Sequence, residues 1–96
     1  MTRETVLAAL SEFQRNRREH YGIHRIGIFG SAARDRLTEE SDVDIVVELA
    51  HPDLLKLVGI KQELEEVLDR PVDVVRYRDQ MSAFLKHRLE QEAVYV

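Results

Sequence analysis

Gly30-Ser31-Ala32-Ala33-Arg34-Asp35-Arg36-Leu37-Thr38-Glu39-Glu40-Ser41-Asp42-Val43-Asp44 is the stretch on which the reading of this chain turns. It begins directly after the apolar run Ile26-Gly27-Ile28-Phe29 and leads into Ile45-Val46-Val47, so a polar segment joins two strand-like runs. Residues two apart on a strand share a face, which sets Asp42 and Asp44 side by side at the head of the second run. Two carboxylates beside an apolar core repel each other unless a proton or cation intervenes. A hard divalent ion with oxygen ligands is the natural remedy. At the other end, Gly30 lets the backbone approach a bulky anion and Ser31 adds a hydroxyl donor. With the strand ending at Phe29 antiparallel to the one beginning at Asp42, the anion loop and the carboxylates meet at one end of a sheet.

Working outward, residues Thr2 to about Arg18 read as a helix, with Val6, Leu7, Leu10 and Phe13 at helical spacing and Thr2 as N-cap. Arg15, Arg17 and Arg18 read as a solvated helix end, with an acidic partner as the alternative, and Gly22 ends the segment. Ile23 to Phe29 is the first strand, near whose start His24 and Arg25 read as structural. Ser31 to about Arg36 reads as a short helix. Arg34 sits one turn beyond Ser31, placed either to reach a phosphate or to pair with Asp35 or Glu39. Val43 to Leu49 is the second strand: Val43, Ile45 and Val47 face one side, and Asp42, Asp44 and Val46 the other. Asp53 to Asp69 is the clearest helix, with Leu54, Leu57, Val58, Leu64 and Leu68 in a stripe broken by Lys61. Its Glu63, Glu65 and Glu66 read as a solvated face, and Pro71 stops it.

Val72 to Val75 is the third strand. If Val72 and Val74 join the aliphatic face, Asp73 falls on the same face as Asp42 and Asp44, with an edge-strand surface position as the alternative. Tyr77 carries no assignment beyond a conceivable stacking platform. Met81 to about Ala93 reads as a last helix with Met81, Phe84, Leu85 and Leu89 turned inward, and 94–96 as a β-like tail that packs on the sheet or on a partner.

The chain has 96 residues, 44% hydrophobic and 33% charged, which is the make-up of one soluble globular domain spanning 1–96. No apolar run approaches membrane-spanning length, cysteine is absent, and no leader precedes the first helix, so a cytoplasmic protein is expected. The net charge of −4 argues against general nucleic-acid binding, because such binders carry a basic surplus against phosphate.

Gly30-Ser31, ten intervening residues and Asp42-Val43-Asp44 resemble the signature of the DNA polymerase β-type nucleotidyltransferase superfamily. With Arg34 inside the run and Ser41 before the first aspartate, the chain is similar to the MNT (minimal nucleotidyltransferase) antitoxins of prokaryotes. Asp35 departs from that pattern, standing where many relatives have glycine. The resemblance implies an α/β fold, a small mixed sheet with helices on one face and the nucleotide site on the other. It implies Asp42, Asp44 and Asp73 as catalytic carboxylates holding Mg2+, two ions in all, and Gly30, Ser31 and Arg34 as the grip on the phosphates of ATP. The expected activity is transfer of AMP to a hydroxyl, a tyrosine above all, of a partner HEPN-type toxin, an all-helical RNase thereby neutralised in a hetero-oligomer. Two alternatives stand beside it: an antitoxin that masks its toxin without catalysis, and an adenylyltransferase with a small-molecule acceptor.

Overall fold

A computed structural model describes residues 1–96. Helix α1, Arg3–Tyr21, starts where the Thr2 hydroxyl accepts the Thr5 N–H at 3.2 Å and stops at Gly22, whose φ of 67° is left-handed. It runs a turn beyond the expected Arg18 because Tyr21 anchors the end. The Tyr21 ring is buried, stacks on Phe13 with centroids 6.2 Å apart, and donates its hydroxyl to Glu63. Burial pushes the Tyr21 phenol up to about 12, assisted by the Glu63 hydrogen bond and charge. Glu63 also takes Arg17 at 2.7 Å, so Arg17 is not merely solvated: it ties α1 to the next long helix.

Strand β1, Ile23–Phe29, leads into the one-turn helix α2, Gly30–Ala33, and strand β2, Val43–Leu49. Helix α3, Leu54–Leu68, is capped by the Asp53 carboxylate, which accepts the Leu55 N–H at 2.7 Å, and it closes at left-handed Asp69. Strand β3, Val72–Arg76, follows, then helix α4, Ala83–Glu92, and the two-residue strand β4, Val94–Tyr95. The sheet order is β3-β2-β1-β4. β1 is antiparallel to β2 and β4, while β2 and β3 run parallel, α3 forming their crossover. Glu65 helps fix that crossover: its carboxylate accepts the Val72 N–H at 3.0 Å and Lys61 at 3.4 Å, and the first of these holds it below the usual carboxylate range. Glu63 and Glu65 are thus joints between elements and not the solvated face expected of them.

Strand parity holds. Val43, Ile45, Val47 and Val72 pack with Val6, Leu10, Ile60 and Leu64 in a buried layer beneath α1 and α3. The opposite face carries Asp44 and also Val46, an apolar side chain that water should not reach. α4 covers it: Phe29, Val46 and Leu89 form a second, small buried cluster. The third long helix therefore lies on the acidic face, whereas α1 and α3 share the other. Phe84, expected inward, is 80% exposed. Met81, Leu85 and Leu89 stand at four-residue steps and make the inward line, and Phe84 is rotated off that line by one residue. β4 completes the sheet beside Gly27, where an added Cβ would meet the Val94 carbonyl at 2.4 Å.

After α2 the chain turns through Asp35 at φ 57°, a left-handed conformation that glycine adopts without steric cost. The Asp35 side chain offsets the strain by accepting the Arg3 N–H at 2.8 Å, closing one of the open donors at the start of α1. Asp35→Ala is expected to cost about 2 kcal/mol, since it keeps the strain and loses the bond, and Asp35→Gly to recover about half of that. Urea denaturation of the three proteins checks the order.

Candidate functional site

The site is built where β1 leaves the sheet and β2 and β3 enter it. In register, Phe29 lies opposite Asp44, and Asp44 lies beside Asp73. Because β1 runs against β2 and β3 runs with it, the loop after Phe29 and all three aspartates arrive at one edge. The polar turn before β2 is closed by one side-chain and one main-chain bond: Thr38 N–H donates to the Ser41 hydroxyl at 3.1 Å and Ser41 N–H to the Thr38 carbonyl at 3.2 Å. Arg70 donates to the same carbonyl at 3.0 Å, and Val43 N–H reaches the Pro71 carbonyl at 3.0 Å, so the starts of β2 and β3 are joined.

Gly30 has φ 64°, and a Cβ there would come within 2.3 Å of an Asp44 carboxylate oxygen. Both the backbone conformation and the space therefore demand glycine at the point where the loop meets the acid. Ser31 follows at half-buried depth in the single turn of α2, where its backbone carbonyl accepts the Arg36 N–H at 2.8 Å.

Asp42 and Asp73 are exposed and Asp44 is half-buried between them. Burial raises the Asp44 carboxyl above the usual range; the negative charges of Asp73 and Asp42 act in the same direction, and Arg88 and Arg34 act against them. Asp73 is on an edge strand, as one alternative had it, and it also stands next to Asp44. No three acidic or histidine side chains close into a ready-made cage for an ion. That openness suits Mg2+, which takes one or two carboxylates and completes its shell with water and substrate phosphate. The aspartates on this face offer carboxylate oxygens, the class that a hard cation requires, and a cation would offset both the burial and the like charges that raise Asp44.

Arg34 pairs with neither Asp35 nor Glu39. Its guanidinium reaches Glu92 at 3.2 Å, and Arg88 reaches the other oxygen of the same carboxylate at 3.2 Å. Gly30 N–H donates to Glu92 as well, at 3.3 Å. Arg88 lies over the Phe29 ring, 5.5 Å from its centroid. Arg88 and Glu92 were not visible as site residues in the sequence. Their only signal is an i,i+4 pair, and nothing local says that α4 crosses this face. At the far end of the face Arg25 sits between Tyr77 and Tyr95, 4.7 and 4.3 Å from their centroids, and binds Glu48 at 2.9 Å. Tyr77 is thereby occupied as a structural stack, and Arg25 is structural as expected.

Residues 10–96 match the family model described as nucleotidyltransferase domain, and the chain belongs to that family. It is 37% identical over 97 residues to the protein adenylyltransferase MntA of Thermococcus cleftensis, spanning 100% of this chain and 97% of that one. Among solved structures it superposes with TM-score 0.80 and 33% identity on a candidate minimal nucleotidyltransferase, covering 98% of this chain and 95% of the other. It also superposes with TM-score 0.76 and 25% identity on a chain of a toxin–antitoxin complex solved with AMP-PNP, covering 92% and 69%.

The raised Asp44 has a consequence for stability. The folded chain holds this proton more tightly than the unfolded chain, so Asp44's contribution declines as pH rises from the ordinary carboxylate range through the raised value, and stays lost above it. Asp44→Asn is expected to be more stable than the parent at neutral pH by up to about 1 kcal/mol, with a flatter pH profile across the mildly acidic range. Mg2+ should raise the melting temperature of the parent and leave that of Asp44→Asn nearly unmoved. Thermal melts across pH, with and without the ion, measure both.

Proposed function

We propose that this nucleotidyltransferase-domain chain is the antitoxin of a HEPN/MNT toxin–antitoxin pair and transfers AMP from ATP to a tyrosine hydroxyl of its toxin. The observation that carries this reading is the meeting of Gly30-Ser31 with Asp42, Asp44 and Asp73 at one sheet edge. The likeness to MntA, an adenylyltransferase acting on protein, and to a chain of a toxin–antitoxin complex with AMP-PNP supports the acceptor and the nucleotide.

In this reading Gly30 N–H and the Ser31 hydroxyl donate to the β- and γ-phosphates, and Arg34 adds positive charge. Asp42 and Asp44 would hold Mg2+, two ions in this reading, with Asp73 as a further ligand. When bound, the ions supply positive charge to the triphosphate and favour ionisation of the acceptor hydroxyl. Asp73, exposed beside Asp44, takes the proton of the tyrosine hydroxyl. The phenolic oxygen forms a bond to the α-phosphorus, the bond from that phosphorus to the bridging oxygen breaks, and pyrophosphate departs with the electron pair. No helix is long and apolar enough to cross a membrane, and the proposed work is done in the cytoplasm, where ATP and an RNase toxin meet.

A masking antitoxin is the second reading. Exposed Leu54, Leu55 and Phe84, at 74, 79 and 80%, offer apolar surface for a tight protein contact without chemistry. A small-molecule acceptor is the weaker alternative, because the relative MntA is named for adenylylating protein.

Intact-mass spectrometry of the partner toxin after incubation with this protein, ATP and Mg2+ decides between them. Nucleotide-sized additions are expected with the parent and none with Asp42→Asn/Asp44→Asn. A stable complex with no added mass overturns the catalytic reading and leaves masking.

A further inference from the structure

We propose that Glu92 is an internal stand-in for nucleotide phosphate and that Arg88, with Arg34, is the phosphate-binding charge it keeps in place. The inference rests on the nucleotidyl-transfer reading and adds to it a substrate-binding residue and a competitor, both from α4.

The donors around Glu92 are those of a phosphate site. One carboxylate receives Arg34 at 3.2 Å on one oxygen, and Arg88 Nε at 3.2 Å and Gly30 N–H at 3.3 Å on the other. Two guanidinium groups and a main-chain amide, from the turn of α2 and from α4, converge on a single anion. A tetrahedral phosphate offers oxygens to the same set with more charge. Gly30 is at the same time the residue that touches Asp44, so the place where Glu92 now ends borders the carboxylates that address the metal.

The exchange needs little movement. Glu92 is the last residue of α4, its side chain is 28% exposed, and rotation about its own bonds releases all three donors without disturbing the backbone. Arg88 keeps its position afterwards because the Phe29 ring lies under it and Leu89 beside it is fully buried. Arg34, on the exposed loop, has no such support. Arg88 is therefore the better-ordered ligand of the two. Glu92 lowers affinity for the nucleotide by competing for its partners, and it neutralises two cations that otherwise attract any polyanion.

The test is calorimetric titration of the full chain with Mg2+ and AMP-PNP. Glu92→Gln is expected to bind about threefold to tenfold more tightly than the parent. Arg88→Ala should bind about tenfold more weakly, with Arg88→Lys in between, because lysine keeps the charge and loses the fork. In Arg88→Ala/Glu92→Gln the gain from removing Glu92 should shrink. Should the parent fail to bind AMP-PNP, the nucleotidyl-transfer reading falls and this inference with it. If the parent binds but Glu92→Gln binds equally or less well, the exchange alone is overturned. A measurement on the parent guards against variants that fold poorly: in a nitrogen-15 NMR titration, the Nε–H signal of Arg88 should move together with the Gly30 amide. An Arg88 signal that stays fixed while Gly30 moves overturns the assignment.

Discussion

The register of three strands is the constraint on which the rest depends. Phe29 opposite Asp44, and Asp44 beside Asp73, bring a loop and three carboxylates to one edge. An antiparallel and a parallel pairing are both needed, since only their combination puts the end of β1 next to the starts of β2 and β3. The parallel pairing in turn requires a crossover, which is why α3 must be long and why its ties to β3, through Glu65 and Lys61, matter for the site. A slip of one residue in β2 would bury Asp44 among Val43, Ile45 and Val47's partners and expose those valines and the isoleucine.

The same register explains why the site opposes its own stability. Asp44 is held half-buried between two other acids, and the glycine at its side has no freedom to become anything larger. Such local conflict is what is expected where a fold is shaped for a ligand and not for itself. The arginines on the face reduce the conflict, and Glu92 in turn restrains the arginines. Arg34 and Arg88 are paired with Glu92, whereas the three aspartates have no ion-pair partner of their own.

Much of this was legible in the residues. Strand parity follows from a period of two, and the aspartates and valines of β2 and β3 obey it. The N-cap at Thr2 and the stop at Gly22 follow from side chains and backbone preferences that act within one turn, whereas Asp53 and Asp69, read as helix ends, turn out to be the caps themselves. What was not legible depends on elements meeting at a distance. The pairing of Arg17 with Glu63 and of Arg34 with Glu92 spans 46 and 58 positions, and no local pattern encodes it. The crossing of α4 onto the acidic face was hinted at by Val46, an aliphatic residue in line with two aspartates, which has to be covered by something. Phe84 misled because its spacing from Met81 is helical, and only the packing of α4 shows that the inward line runs through Met81, Leu85 and Leu89 alone. Asp35, noted only as a departure from a family pattern, turned out to occupy the left-handed position for which glycine is otherwise used.

The two faces of the sheet differ greatly in cohesion. One cluster of 17 buried residues holds α1, α3 and the strands together, whereas the cluster that fastens α4 has 3. Regions with few buried apolar contacts open at a lower free energy than the whole molecule. α4 is therefore expected to open locally at a lower free energy than the central strands, whereas β4 is paired with β1 and its valine packs on the larger cluster. The molecule is a sheet with a large core on one side and a single helix held by a small one on the other, and that helix carries the charges that complete the site.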